Sequence, residues 1–336
     1  MIKLADVRSV ELELSSFCSA RCPLCPRNIF GYPYENGFKP RNLSLTDIKH
    51  ILSPGFVAQL TEIVFEGNLG DFNMNPEALD IVKYLRSLNP DVQMNIMTNG
   101  AIRNKRFWQD LALYDVKILF ALDGLEDTHH IYRRDTNWQT VIDNANAFID
   151  AGGYAIWKMI RFDHNHHQID QCQTLSKELG FRDFQLVDHG RNKGPVFDRN
   201  GDLEYVIGDW RGKTNLTDIM DVIKHGDMFL EDIDLPSVSD VICRSLSQKQ
   251  IYVSAEGDVY PCCFMGFNPS TFGHGTWHQP VNSQIKAIAR ENNALVYGLE
   301  HCLRWFDAIP RCWHAVGTDR LLVCDHHCAS ASAQSK

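Results

Sequence analysis

Six short apolar runs alternate with stretches of helical periodicity over the first 190 residues, and this alternation restricts the fold more than any other feature. The strands are predicted at 7–14, 62–65, 93–97, 117–121, 155–160 and 183–187. The helices are predicted at 45–52, 76–88, 105–112, 138–151 and 169–179. Strands that alternate with helices form a parallel sheet with right-handed crossovers. The sequence therefore predicts an α/β fold, either an open barrel or a doubly wound sheet.

Three cysteines follow the first predicted strand directly. Cys18, Cys22 and Cys25 have C-x3-C-x2-C spacing, which puts three thiolates on one tight loop. Ligands of parallel α/β folds lie at the carboxyl ends of the strands, so this loop is at the functional edge. Three thiolates can hold three irons of a four-iron cluster and leave the fourth open, whereas a closed structural metal site uses four ligands. A zinc knuckle and chance spacing are the alternatives for the motif taken alone.

This spacing resembles the cysteine motif of the radical S-adenosylmethionine (radical SAM) superfamily. The resemblance implies a partial (β/α)6 TIM-like barrel and a [4Fe–4S] cluster on the three cysteines, with S-adenosylmethionine at the open iron. It also implies the chemistry. One electron from an external donor such as flavodoxin or ferredoxin cleaves the cofactor to a 5′-deoxyadenosyl radical, which abstracts a hydrogen from the substrate.

Later strand ends resemble further motifs of the same family. Gly70-Asp71 resembles the Gly-Glu of a Gly-Gly-Glu-Pro stretch, with Asp in place of Glu, and Ala121-Leu-Asp123-Gly resembles Ser-Leu-Asp-Gly, with Ala in place of Ser. The resemblance implies contacts with S-adenosylmethionine, whose carboxylate would pair with an arginine. Plain turns and a solvated charge pair are the alternatives. The candidate cofactor-binding residues are Gly70, Asp71, Thr98, Asn99, Asp123, Arg133, Arg134 and Arg161.

Seven of the eleven cysteines lie between Cys243 and Cys328. The first two of them flank a predicted hairpin whose turn is at 256–258, and a hairpin would bring them together. Their C-x13-G-x4-C pattern resembles the opening of a SPASM or twitch domain, which implies one auxiliary [4Fe–4S] cluster. The candidate ligands are Cys243 and Cys262, with two more from Cys312, Cys324 and Cys328. A second cluster and a zinc site are the alternatives. Cys263 is predicted to point away from Cys262.

These patterns divide the chain into a barrel at 1–190, a bridging region at 191–240 with a helix at 218–229, an auxiliary domain at 241–328 and a disordered tail at 329–336. The net charge of −9 argues against a general attraction to nucleic acid or anionic membranes. No apolar run approaches the ~20 residues of a membrane span, and the N-terminus lacks a signal peptide. Metal-binding cysteines indicate a reducing cytoplasm.

The substrate is the least constrained feature. Auxiliary domains of this type accompany enzymes that modify ribosomally made peptides, so the resemblance implies a peptide substrate. We expect no separate leader-binding module before the first strand, since only about seven residues precede it. A small-molecule dehydrogenase acting on a carbohydrate or amino-acid derivative is one alternative. A non-catalytic iron–sulfur or zinc protein that binds a partner is another.

Overall fold

The computed structural model contains one large sheet, its covering helices and a separate two-stranded hairpin. It describes residues 2–25, 27–33, 39–188, 193–225, 241–266, 285, 288–313, 321, 323, 324 and 328. Part of the predicted helix at 218–229 and the whole predicted tail at 329–336 lie outside these residues. Within these ranges, no helix is long and apolar enough to cross a bilayer.

The first six strands of the sheet pair in sequence order, and all of them are parallel. They are β1 (Ser9–Leu12), β2 (Glu62–Phe65), β3 (Gln93–Thr98), β4 (Val116–Ala121), β5 (Tyr154–Ile160) and β6 (Asp183–Val187). The predicted α/β fold is confirmed, and each strand is within a few residues of its predicted range. Because all six run the same way, their carboxyl ends lie along one edge.

Helices connect these strands and cover the sheet. They are α1 (Leu45–Ile51), α2 (Pro54–Gln59), α3 (Ala78–Leu88), α4 (Lys105–Leu111), α5 (Glu126–Tyr132), α6 (Trp138–Asp150) and α7 (Ile169–Glu178). Later helices are α8 (Leu216–His225), α9 (Arg244–Gln248), α10 (Ala294–Tyr297), α11 (Leu299–Cys302) and α12 (Ile309–Trp313). Helix α1 begins where the Ser44 hydroxyl accepts from the Asp47 N–H and the Asp47 carboxylate accepts from the Ser44 N–H, a capping box.

Alternation along the strands divides the two faces of the sheet. Val10 and Leu12 of β1 are fully buried in the main hydrophobic core with Ile48 of α1. The alternate positions carry Glu11 of β1 and Glu13 directly after it, because successive residues of an extended chain point to opposite faces. One face of β1 is therefore part of the apolar core under the helices, and its other face is acidic.

The C-terminal region joins this sheet directly. Strands β9 (Gln250–Val253) and β10 (Val259–Tyr260) form the predicted antiparallel hairpin, which is confirmed. β9 also pairs in parallel with β1, from Ser9 opposite Gln250 to Leu12 opposite Val253, so the sheet has the order β10-β9-β1-β2-β3-β4-β5-β6. The predicted boundary at residue 241 thus separates strands that share one sheet.

A second hairpin lies in the predicted bridging region. Strands β7 (Gly194–Phe197) and β8 (Leu203–Ile207) pair with each other but not with the large sheet. Phe197 packs in a small core with Phe30 and Ile219, and its N–H donates to the Phe30 carbonyl at 2.8 Å. Val196, Tyr205 and Ile207 of this hairpin pack with Phe162, just after β5. The hairpin therefore connects the flank of the cysteine loop to the end of β5.

Candidate active site

The cysteine loop lies at the carboxyl edge of the sheet, directly after β1. Its backbone is closed by the Cys25 N–H, which donates to the Cys22 carbonyl at 3.0 Å. The Asn28 side-chain amide donates to the same carbonyl at 2.9 Å. The three thiols are close enough for each to shift the pKa of another. The fold thus brings the three predicted ligands together.

Burial is the main influence on these thiols. It raises the pKa of Cys18 to about 12 and the pKa values of Cys22 and Cys25 to about 11. The thiolate is the form that binds metal, and a coordinating metal ion supplies the positive charge that removes the thiol proton. The donor set of three buried, neighbouring thiols therefore fits an iron–sulfur cluster.

Within the residues that the structure describes, no three Cys, His, Asp or Glu side chains converge closely enough to hold one metal ion. A single zinc ion holds its ligands at about 2.0–2.3 Å from one centre. In a four-iron cluster each thiolate binds a different iron, so the three cysteines need not converge on one point.

The loop after β2 lies against the start of the cysteine loop at Gly70. A Cβ atom at this position would lie 1.6 Å from the carbonyl oxygen of Ser15. The next residue, Asp71, donates its N–H to the Phe17 carbonyl at 2.8 Å. Glycine is required here because two backbones meet without room for a side chain.

We expect Gly70→Ala to destabilise the protein by at least about 3 kcal/mol, because backbone atoms must shift to accept the methyl group. Gly55→Ala in α2 is the matched control, since a Cβ there meets nothing within 4 Å. It should be neutral or stabilising by up to about 1 kcal/mol. Urea unfolding of both variants measures the difference. Equal stabilities would contradict the close approach.

The predicted contacts Asp71, Thr98 and Asn99 form one buried network. The Asp71 carboxylate accepts from the Thr98 hydroxyl at 2.7 Å, from the Asn99 N–H at 2.7 Å and from the Asn73 N–H at 3.1 Å. Asn99 in turn donates its side-chain amide to Cys18 Sγ at 3.6 Å. The carboxylate of Asp71 is thus occupied by neighbouring strand ends, and Asn99 faces the cysteine loop.

Asp123 and Arg133 form the second half of the site. Asp123 is fully buried, and its carboxylate accepts from Arg133 Nε and from the Ile160 N–H, both at 2.6 Å. Arg133 also reaches Cys22 Sγ at 3.7 Å and lies over the Tyr132 ring at 5.3 Å. Burial lowers the pKa of Arg133, but Asp123, Cys22 and Tyr132 together raise it by more, so this guanidinium is a cation beside the loop.

The other two candidate arginines face elsewhere. Arg134 donates to the Phe197 carbonyl at 3.0 Å and forms an ion pair with Glu204, both on the β7–β8 hairpin. Arg161 is half exposed and pairs with Asp188. Arg161 is the first residue after β5, and its N–H donates to the Val187 carbonyl at 3.0 Å.

Sequence reasoning missed Glu13, which connects three parts of the site. Its buried carboxylate accepts from the Tyr252 hydroxyl at 2.7 Å, the Leu69 N–H at 2.8 Å and the Gly70 N–H at 2.9 Å. β1, the loop after β2 and the C-terminal hairpin therefore meet at one side chain. The sequence contains a signal for this residue, because an acid that alternates with Val10 and Leu12 on a buried strand needs hydrogen-bond partners.

Burial raises the pKa of Glu13 to about 7 from 4.5, although its three hydrogen bonds act in the opposite direction. The folded state therefore favours the protonated form. Stability from this group is complete below about pH 4.5 and is lost as pH rises towards about 7, by up to ~1.4 kcal/mol per pH unit.

We expect Glu13→Gln to remove this contribution to the pH dependence of the free energy of unfolding. Urea unfolding of the wild type and the variant at about pH 5.5 and about pH 7.5 measures the difference. Tyr252→Phe removes a hydrogen bond that lowers the pKa, so it should extend the loss to higher pH. A wild-type slope in Glu13→Gln would contradict the interpretation. The other acid that faces Glu13 is Glu256, whose charge contributes to the raised pKa.

Four cysteines of the C-terminal region form a second group. Cys243, Cys262, Cys324 and Cys328 are mutual electrostatic neighbours. The Ile242 N–H donates to the Cys328 carbonyl at 3.0 Å, which joins the two ends of the region. The hairpin between the first two cysteines turns at Gly257, where φ is +91°.

The remaining cysteines of this region have other surroundings. The Cys312 thiol donates to the Ala308 carbonyl at 3.4 Å, and Cys302 is fully buried in the main core. The Cys263 thiol hydrogen-bonds to Glu11 and also faces Glu66. The prediction that Cys262 and Cys263 point apart assumes an extended strand, but both lie after the end of β10, and Glu11 is a neighbour of both thiols.

The sequence was compared with models of known protein families, and the part that contains this site matches one of them. Residues 12–162 match the family model of the radical SAM superfamily. This segment contains the cysteine loop and the first five strands. The segment is thus similar to a radical SAM domain, a kind of domain that binds S-adenosylmethionine and a [4Fe–4S] cluster. No curated protein sequence matches the chain.

Solved structures with the same fold span most of the chain. SuiB of Streptococcus suis bound to S-adenosylmethionine has a TM-score of 0.55 and 14% identity over 95% of this chain and 77% of SuiB. SuiB bound to its precursor peptide SuiA has a TM-score of 0.55 and 13% identity over 95% and 76%. Native anSMEcpe with AdoMet and the Kp18Cys peptide has a TM-score of 0.51 and 14% identity over 95% and 88%. The predicted TIM-like radical SAM fold is confirmed.

Proposed function

We propose that this enzyme cleaves S-adenosylmethionine reductively and abstracts a hydrogen atom from a peptide substrate. The observation that carries the proposal is the grouping of Cys18, Cys22 and Cys25 at the carboxyl edge of the sheet, with Asn99 and Arg133 on their sulfur atoms. When bound, the cluster and S-adenosylmethionine supply a 5′-deoxyadenosyl radical.

The chain's own residues hold and orient these cofactors. Cys18, Cys22 and Cys25 ligate the cluster. The backbone around Gly70 is the proposed contact for the cofactor's amino group, because the bond from the Asp71 N–H to the Phe17 carbonyl holds it beside the cysteine loop. Thr98, Asn99, Asp123 and Arg133 complete the proposed cofactor side of the site. We do not assign Arg134 or Arg161 to it, since their guanidinium groups contact Glu204 and Asp188.

An auxiliary [4Fe–4S] cluster on Cys243, Cys262, Cys324 and Cys328 is part of the proposal. Four neighbouring buried or half-buried thiols are the donor set of a fully ligated four-iron cluster. Cys312, Cys324 and Cys328 are the predicted candidates for the third and fourth ligands. Cys324 and Cys328 are favoured, because both lie near the other cysteines of the group. This arrangement is the one expected of a SPASM- or twitch-type domain at 241–328.

A peptide substrate is supported by likeness of fold. SuiB has been solved with a precursor peptide and anSMEcpe with the Kp18Cys peptide, and both share this fold over 95% of the chain. We place the enzyme in the cytoplasm, where thiols stay reduced, with flavodoxin or ferredoxin as the electron donor.

The first test is anaerobic. The reconstituted protein is incubated with dithionite and S-adenosylmethionine, and 5′-deoxyadenosine is measured by mass spectrometry. No 5′-deoxyadenosine from a protein that holds its cluster would refute the enzymatic proposal.

The second test identifies the substrate class. Short peptides encoded beside the gene are made with deuterium on carbon and incubated with the enzyme. Deuterium in the 5′-deoxyadenosine, with a mass change in the peptide, supports the peptide proposal. Label that arrives only from a deuterated carbohydrate or amino-acid derivative would assign a small-molecule dehydrogenase instead.

A further inference from the structure

The thiols of Cys18 and Cys22 each receive a hydrogen bond from a side-chain nitrogen of another element. Asn99 Nδ2, after β3, lies 3.6 Å from Cys18 Sγ. Arg133 Nη1, after α5, lies 3.7 Å from Cys22 Sγ. Both separations fit N–H···S hydrogen bonds, which are longer than those to oxygen because sulfur is the larger atom. The two contacts reach the loop from different elements.

A buried carboxylate holds each residue that carries a donor. Asp71 is 6% exposed and accepts the Asn99 backbone N–H at 2.7 Å and the Thr98 hydroxyl beside it, and the Asn99 side-chain amide also donates to the Ser19 hydroxyl at 3.2 Å. Asp123 is 0% exposed and accepts Arg133 Nε at 2.6 Å. A buried carboxylate with several short hydrogen bonds has one orientation, so it fixes the group that it binds.

Resting on the proposed function, we propose that Asn99 and Arg133 hydrogen-bond to the ligand sulfur atoms of Cys18 and Cys22 in the cluster-loaded enzyme and raise the cluster's reduction potential. Asp71 and Asp123 act as positioning residues for these two donors. The inference gives Asn99 and Arg133 a role towards the cluster that is separate from any contact with S-adenosylmethionine.

The two contacts raise the reduction potential because the cluster becomes more negative when it is reduced. Reduction adds one electron to the cluster, taken from the external donor, and no bond forms or breaks in the protein. The added negative charge spreads onto the ligand sulfurs, where N–H donors and a guanidinium cation stabilise it. Hydrogen bonds to sulfur are among the features that set iron–sulfur potentials. The two hydrogen bonds therefore stabilise the reduced cluster more than the oxidised cluster.

The test is the midpoint potential of the cluster, measured by redox titration with electron paramagnetic resonance in the absence of S-adenosylmethionine. Arg133→Met is compared with Arg134→Met. Each variant removes one positive charge from adjacent positions, but only Arg133 contacts a cluster sulfur, since Arg134 contacts Phe197 and Glu204. To isolate this cluster, both are made in a Cys262→Ala background.

We expect Arg133→Met to shift the potential to a more negative value than Arg134→Met does. Asn99→Leu, which changes no charge, should shift it in the same direction. Equal potentials in Arg133→Met and Arg134→Met, together with an unchanged potential in Asn99→Leu, would overturn the proposal.

Arg133→Lys keeps the inference testable if Arg133→Met fails to fold. Lysine keeps the charge but lacks the planar fork that contacts Asp123 and Cys22 together. We expect a potential below that of the wild type, and a wild-type potential would count against the proposal. A wild-type protein without any cluster on Cys18, Cys22 and Cys25 would refute the proposed function itself, which separates the two failures.

Discussion

Cys22→Ala abolishes the formation of 5′-deoxyadenosine and removes about four irons per chain; this is the largest effect that we expect from a single substitution. The thiol is buried in the cysteine loop beside Cys25 and Arg133. Two remaining thiolates on one side cannot hold a four-iron cluster with an open iron, so the site for S-adenosylmethionine is lost with it.

Cys172→Ala is the matched control. Cys172 is also fully buried, but it lies inside α7 in the main hydrophobic core. Its loss should cost about 1 kcal/mol through a small cavity and leave iron and 5′-deoxyadenosine unchanged. Iron analysis and mass spectrometry of both variants give the comparison. Wild-type cleavage by Cys22→Ala would remove this loop from the mechanism.

The parallel sheet could be predicted because each of its six strands carries a local signal. Runs such as Glu62–Phe65 and Asp183–Val187 are apolar, short and bounded by turn residues, and their observed ends equal the predicted ones. The predicted hairpin near residue 257 rests on an equally local turn. Local patterns do not specify a distant neighbour, and nothing in the sequence of β9 indicates that it pairs with β1 about 240 residues away.

The missed elements have weak local signals. β8 has two exposed apolar residues, Leu203 and Val206, and two polar ones, Glu204 and Tyr205. Its sequence therefore predicts part of an acidic loop and not a strand. Helix α5 is short and contains two adjacent histidines and two acids, which gives little helical periodicity. Both elements depend on tertiary contacts, among them the Tyr205 hydroxyl, which donates to the Ile131 carbonyl at 2.5 Å.

For the site, spacing predicted which residues would meet but not how they would be used. Asp71 and Asp123 were predicted as contacts of S-adenosylmethionine, and both carboxylates accept several hydrogen bonds from the protein itself. Arg133 and Arg134 are adjacent and chemically identical, so only the fold separates the one on the cysteine loop from the one on the hairpin. These distinctions depend on side-chain direction, which sequence spacing does not contain.

Adjacent cysteines in the C-terminal region allow the second large prediction. Cys262 lies near Cys243, Cys324 and Cys328, whereas the Cys263 thiol hydrogen-bonds to Glu11 and lies near Glu66. The two positions share a backbone environment and differ in what their thiols contact. A substitution at each one therefore separates cluster ligation from a general disturbance of the hairpin.

We expect Cys262→Ala to lower the iron content from about eight to about four per chain, since a four-iron cluster needs a ligand for each closed iron. Cys263→Ala should keep about eight. Because the cluster at Cys18, Cys22 and Cys25 remains, Cys262→Ala should still form 5′-deoxyadenosine but yield little modified substrate. Loss of iron in Cys263→Ala instead would reverse the assignment of the two cysteines. A wild-type content of about four irons per chain would mean that the C-terminal thiols hold no four-iron cluster. If Cys262→Ala forms no 5′-deoxyadenosine, the hairpin supports the whole sheet through β1.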